Sequence, residues 1–502
     1  MILNLLLDLL DLKGWLVVFC VLLIVVDIVK NKDPPNYPPG PWPLPVVGNV
    51  FTGVDFKTMD KLAEVYGDVY SLRWGSEKTV FISGYKMVKE ALVTQLDSFA
   101  DRPIVPLFHK VFKGIGIALS NGYMWKVQKK FANAHLRHFG EGKKTLELHI
   151  QQECHYLCEA FKEEQGEPFD PQYTLCSATA NVIYSVIFGR RFEYSDEQFQ
   201  NVLRADAEAV ILAGTAQAQL YNAFPGLFHY LPGPHQTVHS NYQIFKDFLR
   251  QQILKHVEDR DPSDPRDYVD VFLGEMEKST NEEAGFNLEN LIVCTLDMAE
   301  AGTETVATTM RWALYFMMKY PEMQQKVQAE IDNVIGQSRF PNMTDRPKLH
   351  YTEAVIHETQ RLGNVVPLGF PKMASKDTTL AGYFIPKGTA ITANLSSVLH
   401  DKSQWETPDV FNPEHFLDSE GHFRKRDAFF PFSAGDQISS PKSIFKTVIT
   451  HLYKTSVHVI ITLFHCLVEF PIVLRNLERP LTVCYLHTYE VDPFFWPYHT
   501  VY

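Results

Sequence analysis

Hydrophobic and polar residues follow one another along most of the chain with the period of an α-helix. In the strongest segments, apolar residues return every three or four positions and so share one face of a helix. This pattern predicts helices over residues 143–163, 242–257, 288–319 and 321–335. Helical periodicity extends to about residue 360, so we expect a mainly α-helical body.

Two further segments show the two-residue alternation of β-strands. Residues 68–84 combine aromatic and β-branched residues with breaks at Gly75 and Gly84, as a short hairpin does. Residues 377–394 alternate around a turn at residues 386–388 and predict a small sheet. The predicted fold class is therefore mainly α with a small β portion, in one large domain.

The N-terminus has the pattern of a membrane anchor. Residues 15–29 are apolar except for Asp27, and the leucine-rich start could extend the run toward the ~20 residues of a membrane span. Lys30 and Lys32 follow the run, which places the body on the cytosolic side. A cleaved signal peptide is the alternative, but the sequence has no basic start and no small-residue cleavage site. We expect an uncleaved signal anchor over residues 1–30.

A proline-rich segment separates this anchor from the body. Its sequence, "DPPNYPPGPWPLPVVGNV", fixes an extended connection that cannot continue the helix. We predict a hinge over residues 31–50 and a catalytic body over residues 51–436, with a different kind of sequence over residues 437–502.

Composition narrows the class of protein. A hydrophobic content of 45% with 21% charged residues indicates a folded protein with a large core, and a net charge of -12 gives no reason to expect nucleic-acid binding.

The seven cysteines are scattered and odd in number, which indicates a reducing compartment and no disulfide framework. Cys154 and Cys158 flank His155, but their isolated, helical spacing favours buried thiols over a metal site.

The apolar segment 288–319 contains the small and hydroxylated stretch "AGTETVATT". Close packing between helices explains such a stretch, and so does a reactive site. In the second interpretation Gly302 lets a flat ligand or dioxygen approach the backbone, and Thr305 bonds a preceding carbonyl and opens the helix to water. Glu304 then supplies an acid for proton relay.

A second motif, "EAVIHETQRL", places Glu358 and Arg361 on one helical face. An exposed ion pair is the simplest interpretation. The motif is followed by a strand pattern, by "VFNPEHFL" and by "FPFSAG". This order of motifs favours a functional role for the pair over that of an exposed ion pair.

Taken together, these landmarks resemble those of the cytochromes P450. The sequence is similar to vertebrate microsomal members of family 2 over roughly residues 15–436. The stretches that carry this resemblance are "PPGPWPLPVVGNV", "SFADRP", "SNGYMWKVQKKFANAHLRHFG", "AGTETVATT", "YTEAVIHETQR" and "FNPEHFLDSEGHF". The resemblance implies the cytochrome P450 fold with one N-terminal membrane anchor helix.

The resemblance also implies a haem b between the Thr305 helix and a cysteine loop. Arginine is usual in the family where this chain has Lys129, and histidine or arginine where it has Lys372; lysine keeps the charge but loses the planar fork. The positions that match cofactor-binding residues of the family are Arg102, Trp125, Lys129, Ala301 and Lys372. Those that match its structural triad are Glu358, Arg361 and His415, and those that match its substrate pocket are Lys113, Ala301, Val365 and Val366. The resemblance implies that the loop 104–119 and the region 208–232 also contribute to this pocket.

The implied reaction is monooxygenation in the endoplasmic reticulum membrane, with the catalytic domain on the cytosolic face. One oxygen atom from O2 enters a lipophilic substrate such as a xenobiotic, a fatty acid or a steroid, with Thr305 and Glu304 as the catalytic residues. Electrons come from NADPH through NADPH-cytochrome P450 reductase, and cytochrome b5 is a second donor that the resemblance allows. The basic residues Lys126, Arg137, Lys143 and Lys144 suit a docking face, although a solvated helix face explains them nearly as well.

The chain departs from the family at the metal ligand. The family's loop reads F-x-x-G-x-R-x-C-x-G, and alignment from Phe432 and Gly435 places Gln437 at the arginine, Ser439 at the cysteine and Pro441 at the last glycine. A serine hydroxyl stays protonated and is a weak neutral donor, whereas a thiolate is charged and pushes electron density to the iron. We therefore predict no metal ligand in this loop.

The tail that follows does not resemble the family. Cys466 and Cys484 lie well past the loop and lack the framework that would place a sulfur on iron. The abrupt change favours a translated intron or an aberrant final exon over residues 437–502. The alternative function is accordingly a haem-deficient, noncatalytic P450-like membrane protein.

Overall fold

Helices form most of the structure, a computed structural model that describes residues 12–139, 144–165, 167–336 and 338–433. The four helices predicted from the hydrophobic period are confirmed, with ends within about two residues of those predicted, except that the helix expected from residue 242 begins at Pro234. The helices of the N-terminal half are α1 Leu12–Lys30, α2 Phe56–Tyr66, α3 Gly84–Lys89, α4 Pro106–Phe112, α5 Gly122–Phe139, α6 Lys144–Glu163, α7 Gln172–Phe188, α8 Glu197–Ala213, α9 Ala216–Ala223 and α10 Pro225–Phe228. Those that follow are α11 Pro234–Asp259, α12 Tyr268–Lys278, α13 Leu288–Lys319, α14 Pro321–Val334, α15 His350–Gly363 and α16 Leu395–Leu399.

The strands form a four-stranded and a two-stranded sheet. Their bounds are β1 Val69–Trp74, β2 Glu77–Ile82, β3 Lys372–Met373, β4 Thr378–Leu380, β5 Tyr383–Ile385 and β6 Ala390–Ala393. The larger sheet has the order β1-β2-β6-β3, and the smaller one pairs β4 with β5. The predicted hairpin is confirmed, with Gly75 in its turn at φ +58°. Residues 377–394 do not form a single sheet as predicted. The strands β4 and β5 pair with each other, whereas β6 pairs with β2 in parallel and belongs to the larger sheet.

The long helix α13 is the centre of the fold. It packs against α7, α11, α14 and α15, and its residues from Asn290 to Met310 are buried on every face. A helix that is apolar all round is stable only inside a core, which explains why this segment has so few charges. Asn287 caps its N-terminus by accepting a hydrogen bond from the Asn290 backbone N–H.

The N-terminal helix α1 exposes its apolar side chains, and an ion pair near its C-terminal end connects it to the rest of the structure. The Asp27 carboxylate pairs with the Arg73 guanidinium of β1, at 2.8 and 3.0 Å. The proline-rich segment after it lies along β1, where Ser71 N donates to Pro39 O and Arg73 N donates to the Asn49 side chain. Among the described residues, no helix combines the length and apolarity that crossing a membrane requires, so the predicted anchor is not confirmed.

The predictions made for the end of the chain lie outside the described residues. They concern the missing ligand and the tail over residues 437–502, and specifically Gln437, Ser439, Pro441, Cys466 and Cys484.

Candidate active site

The hydroxyl groups of the "AGTETVATT" stretch bond the carbonyls of their own helix. Thr305 Oγ1 donates to Ala301 O at 2.7 Å, and Thr309 Oγ1 donates to Thr305 O at 2.7 Å. Thr305 is buried, and this bond to a preceding carbonyl is the contact expected of it. Its role in delivering protons stays a prediction.

Glu304, the neighbour of Thr305, faces α7. The Cys176 thiol donates to Glu304 Oε1 at 3.3 Å. Burial raises the pKa of Glu304, while this hydrogen bond and the charge of Arg311 oppose the rise. Burial and the nearby Glu304 raise the pKa of the Cys176 thiol well above its usual value. The carboxyl group therefore holds its proton more readily than an exposed acid.

A small cavity of about 20 Å³ lies beside Ala301. The predicted pocket loop 104–119 and α13 both contribute to its wall. Its lining consists of Phe108, Phe112, Ala118, Leu119, Asp297, Glu300, Ala301 and Phe370. Sequence reasoning anticipated the loop and Ala301 but missed Asp297, Glu300 and Phe370.

The other pocket residues expected from the sequence lie elsewhere. Val365 and Val366 are buried in a cluster with Val210 and do not line this cavity. Lys113 is exposed and ends α4 in the left-handed conformation, at φ +53°. A second, larger cavity of about 150 Å³ is lined by Ile104 and by residues 219, 222 and 223, among others.

Asp297 fastens the pocket loop to α13. Its Oδ2 accepts hydrogen bonds from the backbone N–H groups of Ile117 and Ala118, at 2.5 and 2.9 Å. Burial raises the pKa of Asp297 to about 7, although both hydrogen bonds act in the opposite direction. One buried carboxylate thus fixes the backbone of the loop that walls the cavity.

Glu300 lies one helical turn further along α13. The Tyr242 hydroxyl of α11 donates to Glu300 Oε1 at 2.5 Å. Burial raises the pKa of Glu300 to about 8, the charge of Asp297 adds to the rise, and the bond from Tyr242 opposes it. The signal for both residues was present in the sequence, because they are acids inside a segment that is otherwise apolar.

Three cations predicted to bind a cofactor lie close enough to influence one another. Lys129 is buried on α5, and its Nζ is 4.6 Å from the centre of the Trp125 ring. Arg102 donates to the carbonyl groups of Phe370 and Pro371, at 3.3 and 2.9 Å. Burial lowers the pKa of Lys372 to about 7, and the charges of Arg102 and Lys129 lower it further in the same direction. Like charges held together in this way favour an anion between them.

The three residues of the expected triad lie together, with Glu358 and Arg361 on α15 and His415 in the segment Pro413–Phe416. Arg361 Nε and Nη2 donate to the two carboxylate oxygens of Glu358, at 2.7 and 2.8 Å. His415 Nδ1 lies 3.2 Å from Glu358 Oε2. The simple interpretation as an exposed ion pair is wrong, because the side chains of Glu358 and Arg361 are both 0% exposed.

Comparison with known proteins decides the family. The family model for cytochrome P450 matches residues 38–438. Cytochrome P450 2J2 of Homo sapiens is 47% identical over 430 residues, which cover 85% of this chain and 85% of that protein. The chain belongs to the cytochrome P450 family. Cytochrome P450 2J3 of Rattus norvegicus is 48% identical over 418 residues (82% of this chain, 83% of that protein), and cytochrome P450 2C5 of Oryctolagus cuniculus is 42% identical over 423 residues (84% and 86%).

This membership supports the predicted family 2 type and the predicted helical fold. The function that goes with it is haem-thiolate monooxygenation. The described residues fit a haem in part, because the cations Arg102, Lys129 and Lys372 would suit the two carboxylates of that group.

Haem-thiolate chemistry would also need a cysteine thiolate to bind the iron. In the described residues, Cys154, Cys158, Cys176 and Cys294 are buried and Cys20 is exposed on α1. Cys176 already bonds Glu304, and Cys294 Sγ lies 3.8 Å from the Gln128 side-chain oxygen. The family position for the ligand, Ser439, lies outside the described residues and has no sulfur.

Proposed function

We propose that residues 51–436 form the body of a P450 monooxygenase that acts on lipophilic organic compounds. The observation that carries this proposal is the cavity beside Ala301, whose wall is formed largely by Phe108, Phe112, Phe370 and other apolar residues. Mostly apolar walls are typical of sites that bind lipophilic organic molecules. Xenobiotics, fatty acids and steroids are the substrate classes that we propose.

In this proposal Thr305 and Glu304 manage protons, while Arg102, Trp125, Lys129 and Lys372 hold the haem propionates. The raised pKa of Glu304 supports its part, since a carboxyl group that holds its proton more strongly than an exposed acid can act as a proton donor. Haem supplies the oxygen activation when it is bound. The buried triad of Glu358, Arg361 and His415 keeps the haem side of the fold in place.

The electron donor in this proposal is NADPH-cytochrome P450 reductase, with cytochrome b5 as a second partner. Lys126 is exposed on α5, the helix that also carries Trp125 and Lys129. An exposed cation beside the cofactor site supports docking of an acidic partner.

We also propose an anchor over residues 1–30 in the endoplasmic reticulum membrane, followed by a hinge over residues 31–50. Support comes from the exposed apolar side chains of α1, among them Leu16, Phe19, Leu22 and Val29. Lys30 in its last turn agrees with a body on the cytosolic face.

The body becomes catalytic, in this proposal, only with a cysteine thiolate where the chain has Ser439. Gln437 and Pro441 remove a propionate contact and a backbone donor from the same loop. This observation favours a second candidate function for the chain with its present tail, a haem-deficient and noncatalytic P450-like protein. The tail is then the product of a translated intron or an aberrant final exon. A transcript that continues through a family-type exon boundary into this tail would count against that origin.

The test replaces everything after Gly435 with a family-type cysteine loop and its following helix. We expect the chain with its present tail to express poorly or aggregate, and the grafted chain to regain solubility and haem. The Ser439→Cys variant is the matched control, and it should recover little because Gln437 and Pro441 remain. Equal solubility and haem content in the original and grafted chains contradicts the proposal.

A further inference from the structure

Two histidines of α11 each have a buried ring nitrogen without a partner. His235 and His239 lie four residues apart, so their side chains share one face of the helix. The atoms His235 Nε2 and His239 Nδ1 are buried and have no hydrogen-bond partner among the described residues. His235 as a whole is 2% exposed. Since buried polar atoms are nearly always satisfied, two such nitrogens on one face indicate a ligand.

The second nitrogen of His239 sets the protonation of its ring. His239 Nε2 lies 3.1 Å from the backbone oxygen of Leu107, which can only accept a hydrogen bond. Nε2 therefore carries the proton and Nδ1 keeps its lone pair. Histidines that bind metals usually donate their other ring N–H to an acceptor of this kind, which orients the ring. His239 has this arrangement.

Tyr221 of α9 orients both rings. The ring of His235 stacks on that of Tyr221, with centroids 4.6 Å apart and planes 18° from parallel. The ring of His239 meets the same tyrosine edge-on, with centroids 5.7 Å apart. The two imidazoles are thus held in place before any ligand binds, which lowers the cost of ordering them.

The separation of the two imidazoles suits one metal ion between them. Their centroids are 6.1 Å apart and their planes are 76° from parallel. Two imidazoles with metal–nitrogen bonds of about 2.0–2.1 Å have centroids roughly 5–6.5 Å apart, depending on the angle at the metal. Histidines four residues apart on one helix face are a recurrent source of two zinc ligands.

Both histidines are neutral at pH 7. Burial lowers the pKa of His239 to about 4, and the charge of Lys110 adds to this effect. Burial and the charge of Lys110 also lower the pKa of His235. No proton therefore competes with a metal for either lone pair. Lys110 is exposed on α4, so solvent screens its repulsion of a bound cation.

A second group of potential ligands is already satisfied by the protein. His256, Asp267 and Asp270 are buried with their ligand atoms within 4.8 Å of one another. His256 Nε2 lies 2.8 Å from Asp267 Oδ2, and the Asp270 backbone N–H donates to Asp267 Oδ1 at 3.0 Å. Arg266 Nε donates to Asp270 Oδ2 at 2.8 Å. These contacts cap α12 and explain the cluster without a metal.

We propose that His235 Nε2 and His239 Nδ1 bind one divalent transition-metal ion, for which Zn²⁺ is the model. Water and the exposed His229, which follows α10, are available for the remaining positions. The site lies where α4, α9 and α11 meet and does not depend on haem or on the proposed monooxygenase. Because α4 also carries Phe108 and Phe112, a metal here stabilises one wall of the cavity beside Ala301.

The test is isothermal titration calorimetry of the purified full-length chain in detergent, with Zn²⁺ as the probe. His235→Phe keeps a ring to stack on Tyr221, and His239→Gln keeps a donor for the Leu107 carbonyl group. His155→Gln is the matched control, because it removes an exposed histidine from α6. Circular dichroism establishes that each variant is folded.

We expect His235→Phe and His239→Gln each to weaken Zn²⁺ binding at least about tenfold, since loss of even a supporting partner of a metal site costs about 10–100-fold. Binding by His155→Gln should stay within about twofold of the original. Lys110→Gln should tighten binding, because it removes a nearby positive charge, and a packing role for the histidines does not predict this.

The absorption spectrum of Co²⁺ in the original chain identifies the ligand type, because thiolates give intense near-ultraviolet bands that imidazoles lack. We expect a spectrum without those bands at one equivalent of metal. Unchanged Zn²⁺ affinity in both His235→Phe and His239→Gln overturns the inference, and so does a thiolate-type Co²⁺ spectrum. Should either variant fail to fold, the spectrum and Lys110→Gln decide, and affinity that Lys110→Gln leaves unchanged or weakens counts against the site.

Discussion

Arg361 and Glu358 form a bidentate ion pair in which neither side chain has any exposed surface. The same guanidinium donates to the carbonyl groups of Leu399, Pro408 and Val410, so it joins α15 to the end of α16 and to the loop that follows it. A buried charge with this many partners is stabilising only while all of them remain.

Glu358→Gln should therefore lower the free energy of unfolding by about 3–5 kcal/mol, because it leaves the Arg361 charge buried without its counter-ion. Urea denaturation followed by circular dichroism measures this change. Glu159→Gln is the control, since Glu159 forms the same type of pair with Lys162 at 49% exposure. Its effect should stay below about 1 kcal/mol. Similar losses in the two variants would show that burial of the pair has no special importance.

Because of Lys372, the free energy of unfolding should depend on pH. Burial and its cationic neighbours lower its pKa from 10.5 to about 7 in the folded chain, so the unfolded chain binds the proton more tightly between those values. Stability relative to Lys372→Met should consequently rise as the pH increases from about 7 toward 9.5. The difference is measured by urea denaturation of both chains at several pH values.

Lys376→Met is the control for this prediction, because it removes an exposed ammonium close to Lys372 in the sequence. The rise in stability with pH should persist in Lys376→Met. A difference between the original chain and Lys372→Met that stays constant across the range contradicts the account of the cation cluster.

The sequence allowed some parts of this structure to be predicted and not others. The bounds of α13 followed from its hydrophobic pattern, because a helix buried on all sides has few positions at which a polar residue is tolerated. The parallel pairing of β6 with β2 could not be predicted, since it joins strands separated by most of the chain and depends on packing between them. The acids Asp297 and Glu300 were visible as exceptions in an apolar segment. Their partners Tyr242, Ile117 and Ala118 come from other elements and emerge only in the folded chain.

The most direct test of the central claim is the reduced carbon-monoxide difference spectrum, with haem quantified in the same samples. It is measured on the purified full-length chain and on the chain grafted with a family-type cysteine loop after Gly435. We predict no thiolate-type Soret band from the chain with Ser439 and a clear thiolate-type band from the grafted chain, because a serine hydroxyl does not replace a thiolate on iron. A thiolate-type band from the chain with its present tail would mean that another cysteine reaches the iron, and it would contradict the account.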